Sequence, residues 1–185
     1  MRRGLCLIAT AALVVGSTAC GKVDAPAPVP VVTPAMTPAA RPAVALVSLG
    51  ALRASVPEFR GWTRGEIVAQ ESAAPEPGTH VVTTFTRGAE KLELEIADTG
   101  GVPRAIESLE KIAGSNTSRT VDNGYLKGTV VGTFPAVESW NTQEKLGELS
   151  VLIRRRFIIH VTGSGIKDAA PMRALAQAVD TSRLR

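Results

Sequence analysis

Residues 91–96 read Lys-Leu-Glu-Leu-Glu-Ile, a strict alternation with Leu92, Leu94 and Ile96 on one side of an extended chain and Lys91, Glu93 and Glu95 on the other. Successive strand side chains point to opposite faces, so the segment requires a sheet with one buried face and one wet face. The preceding run from His80 to Arg87 is rich in Val and Thr, and Gly88 between the two runs marks a hairpin. An antiparallel sheet with helices packed on it suits the pattern.

The rest of the chain supplies the other parts. Gly61 to Ala69 predicts a first strand, and Tyr125–Val131, Pro135–Asn141, Leu146–Ile153 and Phe157–Thr162 predict later ones, the last two joined tightly around Arg154 and Arg155. Leu46, Leu49 and Leu52 recur at helical spacing before Pro57 and predict a short helix. After Thr99-Gly100-Gly101 the period becomes helical again. Pro103 suits a first turn, Ile106, Leu109 and Ile112 form an apolar stripe, Glu107 and Lys111 make an i,i+4 pair, and Gly114 ends the helix. A last helix runs from about 169 to 180, with Asp168 as its cap and Met172, Leu175, Ala176 and Val179 turned inward. The expected class is α+β: an antiparallel sheet of about six to seven strands with a mid-chain helix and a C-terminal helix packed on it. No period of 20–50 residues recurs, which excludes a solenoid.

Residues 1–43 have a different composition. Met1, Arg2 and Arg3 precede an apolar run from Leu5 to Val15, and the small residues Gly16-Ser17-Thr18-Ala19 lead to Cys20. That run is too short to span a bilayer and reads as an export signal. From residue 23 to 42, Pro26, Pro28, Pro30, Pro34, Pro38 and Pro42 lie among Ala, Val and Thr, a composition that favours extended backbone and cannot build a core. The expected organisation is a signal peptide over 1–19, a lipidated cysteine and tether over 20–43, and one α+β domain over 44–185. At roughly 3 Å per residue the tether would span about 60 Å. The formal charge of +4 loses two units with Arg2 and Arg3, so the basic excess gives no argument for nucleic acid. Cys6 leaves with the signal, and Cys20 is then a sole cysteine with no partner for an intramolecular disulfide.

The placement of Cys20 after Thr18-Ala19 resembles the lipobox of bacterial lipoproteins, in which the cysteine is lipidated and becomes the new N-terminus. The resemblance implies a chain anchored to the cell envelope through its lipid. Gly21, rather than an aspartate, resembles the residue that follows the cysteine in lipoproteins of the outer membrane, facing the periplasm in a diderm cell. An ordinary secretory signal with Cys20 as a free thiol is the alternative. The order of elements over roughly residues 60–185 resembles the PsbP-like fold group, which includes small exported lipoproteins. Gly61-Trp62, Asp98-Thr99-Gly100, Gly124-Tyr125-Leu126-Lys127 and Arg156-Phe157 look like landmarks of exported bacterial proteins, and the likeness transfers no catalytic residues.

Catalytic and cofactor motifs give little. His80 and His160 stand in strand patterns, without H-x-x-x-H, paired cysteines or an EF-hand loop, so no metal and no cofactor is expected. Gly163-Ser164-Gly165 lacks the context of a nucleophile elbow or a phosphate loop, and a Ser164–His160 dyad would lack an acidic orienter. A binding surface is the remaining use of unusual residues. Arg154, Arg155 and Arg156 form the densest charge, read either as a contact to an anionic surface or as a solvated hairpin tip. Trp62, Tyr125 and Trp140 lie on or beside strands, where aromatics either pack a core or line a groove. The expected function is a non-enzymatic binding or assembly module. Its partners would be the membrane, through the lipid, and an envelope protein or small apolar ligand. The alternative is a small periplasmic enzyme using Asp98, Glu138 or His160 in a site formed only by folding.

Overall fold

A computed structural model describes residues 45–72, 77–101, 103–115 and 118–185. The export signal, Cys20 and the tether of the sequence reading lie outside the described residues. The remainder is a mixed α+β structure built on one antiparallel sheet.

The β3 (Gly78–Arg87) and β4 (Glu90–Asp98) hairpin forms as the alternation requires, with Thr86 opposite Lys91 and Val81 opposite Ile96. Helix α2 (Pro103–Gly114) follows, and then a meander of β5 (Ser118–Val121), β6 (Gly124–Val131), β7 (Phe134–Asn141), β8 (Leu146–Ile153) and β9 (Phe157–Ser164). Strand β9 returns beside β4, so the order across the sheet is β3-β4-β9-β8-β7-β6-β5. Two short strands, β1 (Thr63–Arg64) and β2 (Val68–Ser72), both lie along the outer edge of β3.

There are nine strands rather than six or seven, for two reasons. The expected first strand breaks at Gly65, whose amide donates to the Thr84 carbonyl at 2.7 Å and where a Cβ would stand 2.7 Å from Thr84 Oγ1. Strand β5 is an edge strand with all four residues exposed, so it carries no apolar alternation to read.

One sheet face holds the main core. Leu92, Leu94 and Ile96 of β4, Phe157, Ile159 and Val161 of β9, and Leu149, Val151 and Ile153 of β8 are all buried there. Helix α1 (Leu49–Ser55), helix α3 (Ala170–Ala178) and a final 3₁₀ turn (Thr181–Arg183) bring Leu52, Met172, Leu175, Ala176 and Leu184 to this core. Burial is worth about 1.5–3 kcal/mol for each large apolar side chain. Ser48 caps α1, accepting from the Ala51 amide at 3.3 Å; the cap position of α3 is Ala169, without a side-chain cap bond, rather than the expected Asp168, which stands one residue earlier and accepts from the Ala170 amide at 2.9 Å.

Helix α2 packs on the other face, where Ile106, Leu109 and Ala113 meet Leu152, Val137 and Ile158. The expected third stripe residue, Ile112, is 38% exposed, because the buried stripe continues through Ala113 instead. Glycine permits the close approach of this helix to β6: a Cβ on Gly128 would lie 2.6 Å from the Ile112 carbonyl oxygen. The expected Glu107–Lys111 pair is not among the ion pairs of the described residues; Glu110 instead joins Arg155 at 3.0 Å. Contacts of α2 fall on β6, β7 and β8.

Candidate functional site

Two acidic side chains are fully buried on the core face, and each has a specific set of donors. Glu138 stands between Ala136 and Trp140 on the inward side of β7. Arg173 of α3 reaches both its oxygens, with Nη2 2.5 Å from Oε1, and the Tyr125 hydroxyl donates to the same oxygen at 2.5 Å. Lys127 adds its ammonium at 3.4 Å and covers the Tyr125 ring at 4.7 Å. Burial pulls the Glu138 carboxyl upward, but the Arg173 and Tyr125 hydrogen bonds and the two cations outweigh it and hold it below the usual range. Burial and the neighbouring carboxylate push the Tyr125 phenol up to about 12. An acid held ionised with its lone pairs filled is not poised to shuttle protons; it fixes α3 to the sheet.

Asp98, at the end of β4, accepts from Arg156 Nε at 2.8 Å and Nη2 at 2.6 Å, and also from the amides of Val47 at 2.8 Å and Gly100 at 2.9 Å. Burial again opposes ionisation, and the hydrogen bonds of Arg156 and the two amides overcome it, so this carboxyl too is lowered. Arg156 Nη2 also donates to the Ala45 carbonyl at 2.7 Å, and the Thr79 hydroxyl to the Val47 carbonyl at 3.1 Å. These contacts clamp residues 45–48 against the end of the sheet.

The three consecutive arginines therefore diverge. Arg156 turns to Asp98, Arg155 to Glu110 of α2, and Arg154 donates to the Leu184 carbonyl at 2.6 Å. Arg154 and Arg155 adopt φ of 52° and 54°, the left-handed region that costs an ordinary residue about 1–2 kcal/mol. The turn thus spends its charge on three different parts of the fold. Trp140 is buried in the core and Tyr125 is half-buried against Glu138. Trp62 stacks on Phe59 at 5.8 Å, with the Arg87 guanidinium 4.5 Å above its ring. The structure does not bring these six residues into one surface.

What stays open is the α2 face of the sheet away from that helix. Cross-strand register lines up Glu95, His160 and Ser150 as direct neighbours on β4, β9 and β8. Ser150 Oγ lies 2.9 Å from His160 Nδ1; the sequence suggested Ser164, which lies four residues along the same strand as His160. Both β8 and β9 are paired on each side, so the amides around Ser150 belong to ladders and offer no oxyanion donors. Among the described residues, no group of three or more His, Cys, Asp or Glu is placed to hold a metal ion.

Two hollows occupy the β5 side of this face and share Leu126 as a lining residue. One, about 460 Å³, lies between α2 and β5 and is lined by Lys111, Ile112 and Arg119. The other, about 500 Å³, runs over Val121, Leu146, Ser139 and Thr162 toward Glu148. Both fall in the size range of small-molecule sites. Ile112, Val121 and Leu146 are 38%, 48% and 44% exposed, three of the five large apolar side chains exposed among the described residues. Sequence reasoning missed this trough because its walls come from five strands and a helix. The available signal was Val121 and Leu146, apolar residues beside turns with no inward role. For Glu138 the signal was clearer, since the strand alternation puts an acid at an inward position.

Compared with family models, with curated proteins and with solved structures, the chain matches none.

Proposed function

We propose that the chain is an exported lipoprotein, lipidated at Cys20 and held at the cell envelope, whose folded domain is a non-enzymatic binding module. The observation that supports binding is the trough at Leu126, where exposed apolar side chains gather on a sheet face that α2 leaves uncovered. A concave, mostly apolar surface with a few polar groups is where small molecules bind. Strong donors and acceptors elsewhere are already committed: Glu138 and Asp98 to arginines, and the arginine turn to the fold. No described helix is long and apolar enough to cross a membrane, and on this reading the lipid supplies the attachment.

One observation favours a second reading, a small hydrolase: the Ser150–His160 hydrogen bond with Glu95 next in the row. Complementation of a deletion strain separates the two. Leu126→Glu should abolish complementation by a folded, exported protein, while Ser150→Ala and His160→Ala should retain it. Loss with either of the latter, and retention with Leu126→Glu, would favour the enzyme. Cys20→Ala should leave the membrane fraction, and its retention there would refute the lipid anchor.

A further inference from the structure

We infer that the trough takes a single-chain amphiphile with an anionic head, a long-chain carboxylate, and this rests on the binding-module reading above. Charge sets the polarity. Lys111 and Arg119 line one hollow, and neither has an ion-pair partner among the described residues. Glu144 and Glu148, both exposed, line the other hollow. An anion is drawn to the α2 end and repelled from the far end, which fixes which way a ligand lies. Between the two ends the lining is mostly apolar, through Ile112, Leu126, Val121 and Leu146, with the hydroxyls of Ser139 and Thr162 interspersed.

The floor argues for a hydrocarbon chain over a peptide. Strands β6, β7 and β8 are each hydrogen-bonded to a neighbour on both sides, so their amides and carbonyls are occupied. A peptide lying across them would leave its own backbone groups unpaired over apolar side chains, at a cost of about 1–3 kcal/mol for each buried group. An alkyl chain has no such groups to satisfy.

The test is photo-crosslinking of the purified full chain with palmitic acid carrying a mid-chain diazirine, with adducts mapped by peptide mass spectrometry. Adducts should fall on the peptides containing Leu126 and Leu146, and the Lys111→Ala/Arg119→Ala double variant should lower the yield about tenfold, since two solvent-reached charges together are worth roughly that factor. The corresponding alcohol should label weakly and equally in both proteins. Adducts elsewhere, an alcohol that labels as well as the acid, or a two-chain phospholipid probe that labels better than the acid would each overturn the inference. The two levels fail separately. If Leu126→Glu abolishes complementation and the acid still does not label, the ligand class falls and the binding reading stands; if Leu126→Glu complements, the binding reading itself falls.

Discussion

Glu138 shows at the scale of one residue how a buried charge is kept. Its side chain is fully buried, yet three side chains supply donors, and the chain's single tyrosine is one of them. That singularity makes the site measurable, because tyrosinate absorbance reports Tyr125 alone. Its titration should centre near 12, displaced from the ordinary 10 first by burial and then by the Glu138 carboxylate. The sign follows from the direction of the shift. A phenol whose folded value is raised adds stability that is complete below pH 10 and disappears as pH rises through 12. Glu138→Gln removes the charge but leaves the burial, so the midpoint should return part of the way toward 10. A wild-type midpoint at 10, or one unmoved by Glu138→Gln, would show that the hydrogen bond does not hold in solution.

Among the elements, α2 makes the trough, because its last turn forms one wall. What positions that turn is the missing side chain at Gly128, where the backbone of Ile112 and Ala113 comes within 2.6 and 2.7 Å of the place a Cβ would occupy. Gly128→Val must push the helix outward. It should cost about 1–3 kcal/mol in urea-midpoint stability, as overpacking does, and weaken binding in the trough. An unchanged midpoint would mean that α2 does not sit this close. The same element marks how far sequence could be read. Ile106 and Leu109 announce the helix and its buried side, because burial repeats every three or four residues. The β3–β4 hairpin and β6 to β9 are legible for the equivalent reason at period two. Strand β5 has no buried side to leave a pattern, and the break at Gly65 depends on Thr84, nineteen positions away and unknowable before β3 is placed. The trough was hidden likewise: Arg119 and Leu126 become neighbours only through the pairing of β5 with β6, and Lys111 joins them only through the packing of α2.

At the largest scale, a single sheet joins both cores of the described residues. The α1 and α3 core and the α2 core share strands β8 and β9, so neither can melt while the other keeps its sheet, and unfolding should be one transition. The two buried acids then set how that transition responds to acid. Asp98 fixes residues 45–48 at one end of the sheet and Glu138 fixes α3 on its face. Both carboxyls are lowered from their ordinary values of 3.8 and 4.5. The unfolded chain therefore takes up protons at a pH where the folded chain does not. The stabilisation from these two groups is complete above the ordinary values and is lost as pH falls through them toward the lower folded ones. Urea midpoints should be level from pH 7 to about 5 and drop steeply below about 4. Asp98→Asn and Glu138→Gln together should lower the midpoint at pH 7, because each leaves an arginine facing a neutral group, and should flatten the acid limb. If the double variant lost stability with acid as steeply as wild type, other carboxylates would carry the dependence, and the two clamps would not be what ties the helical cover and residues 45–48 to the sheet.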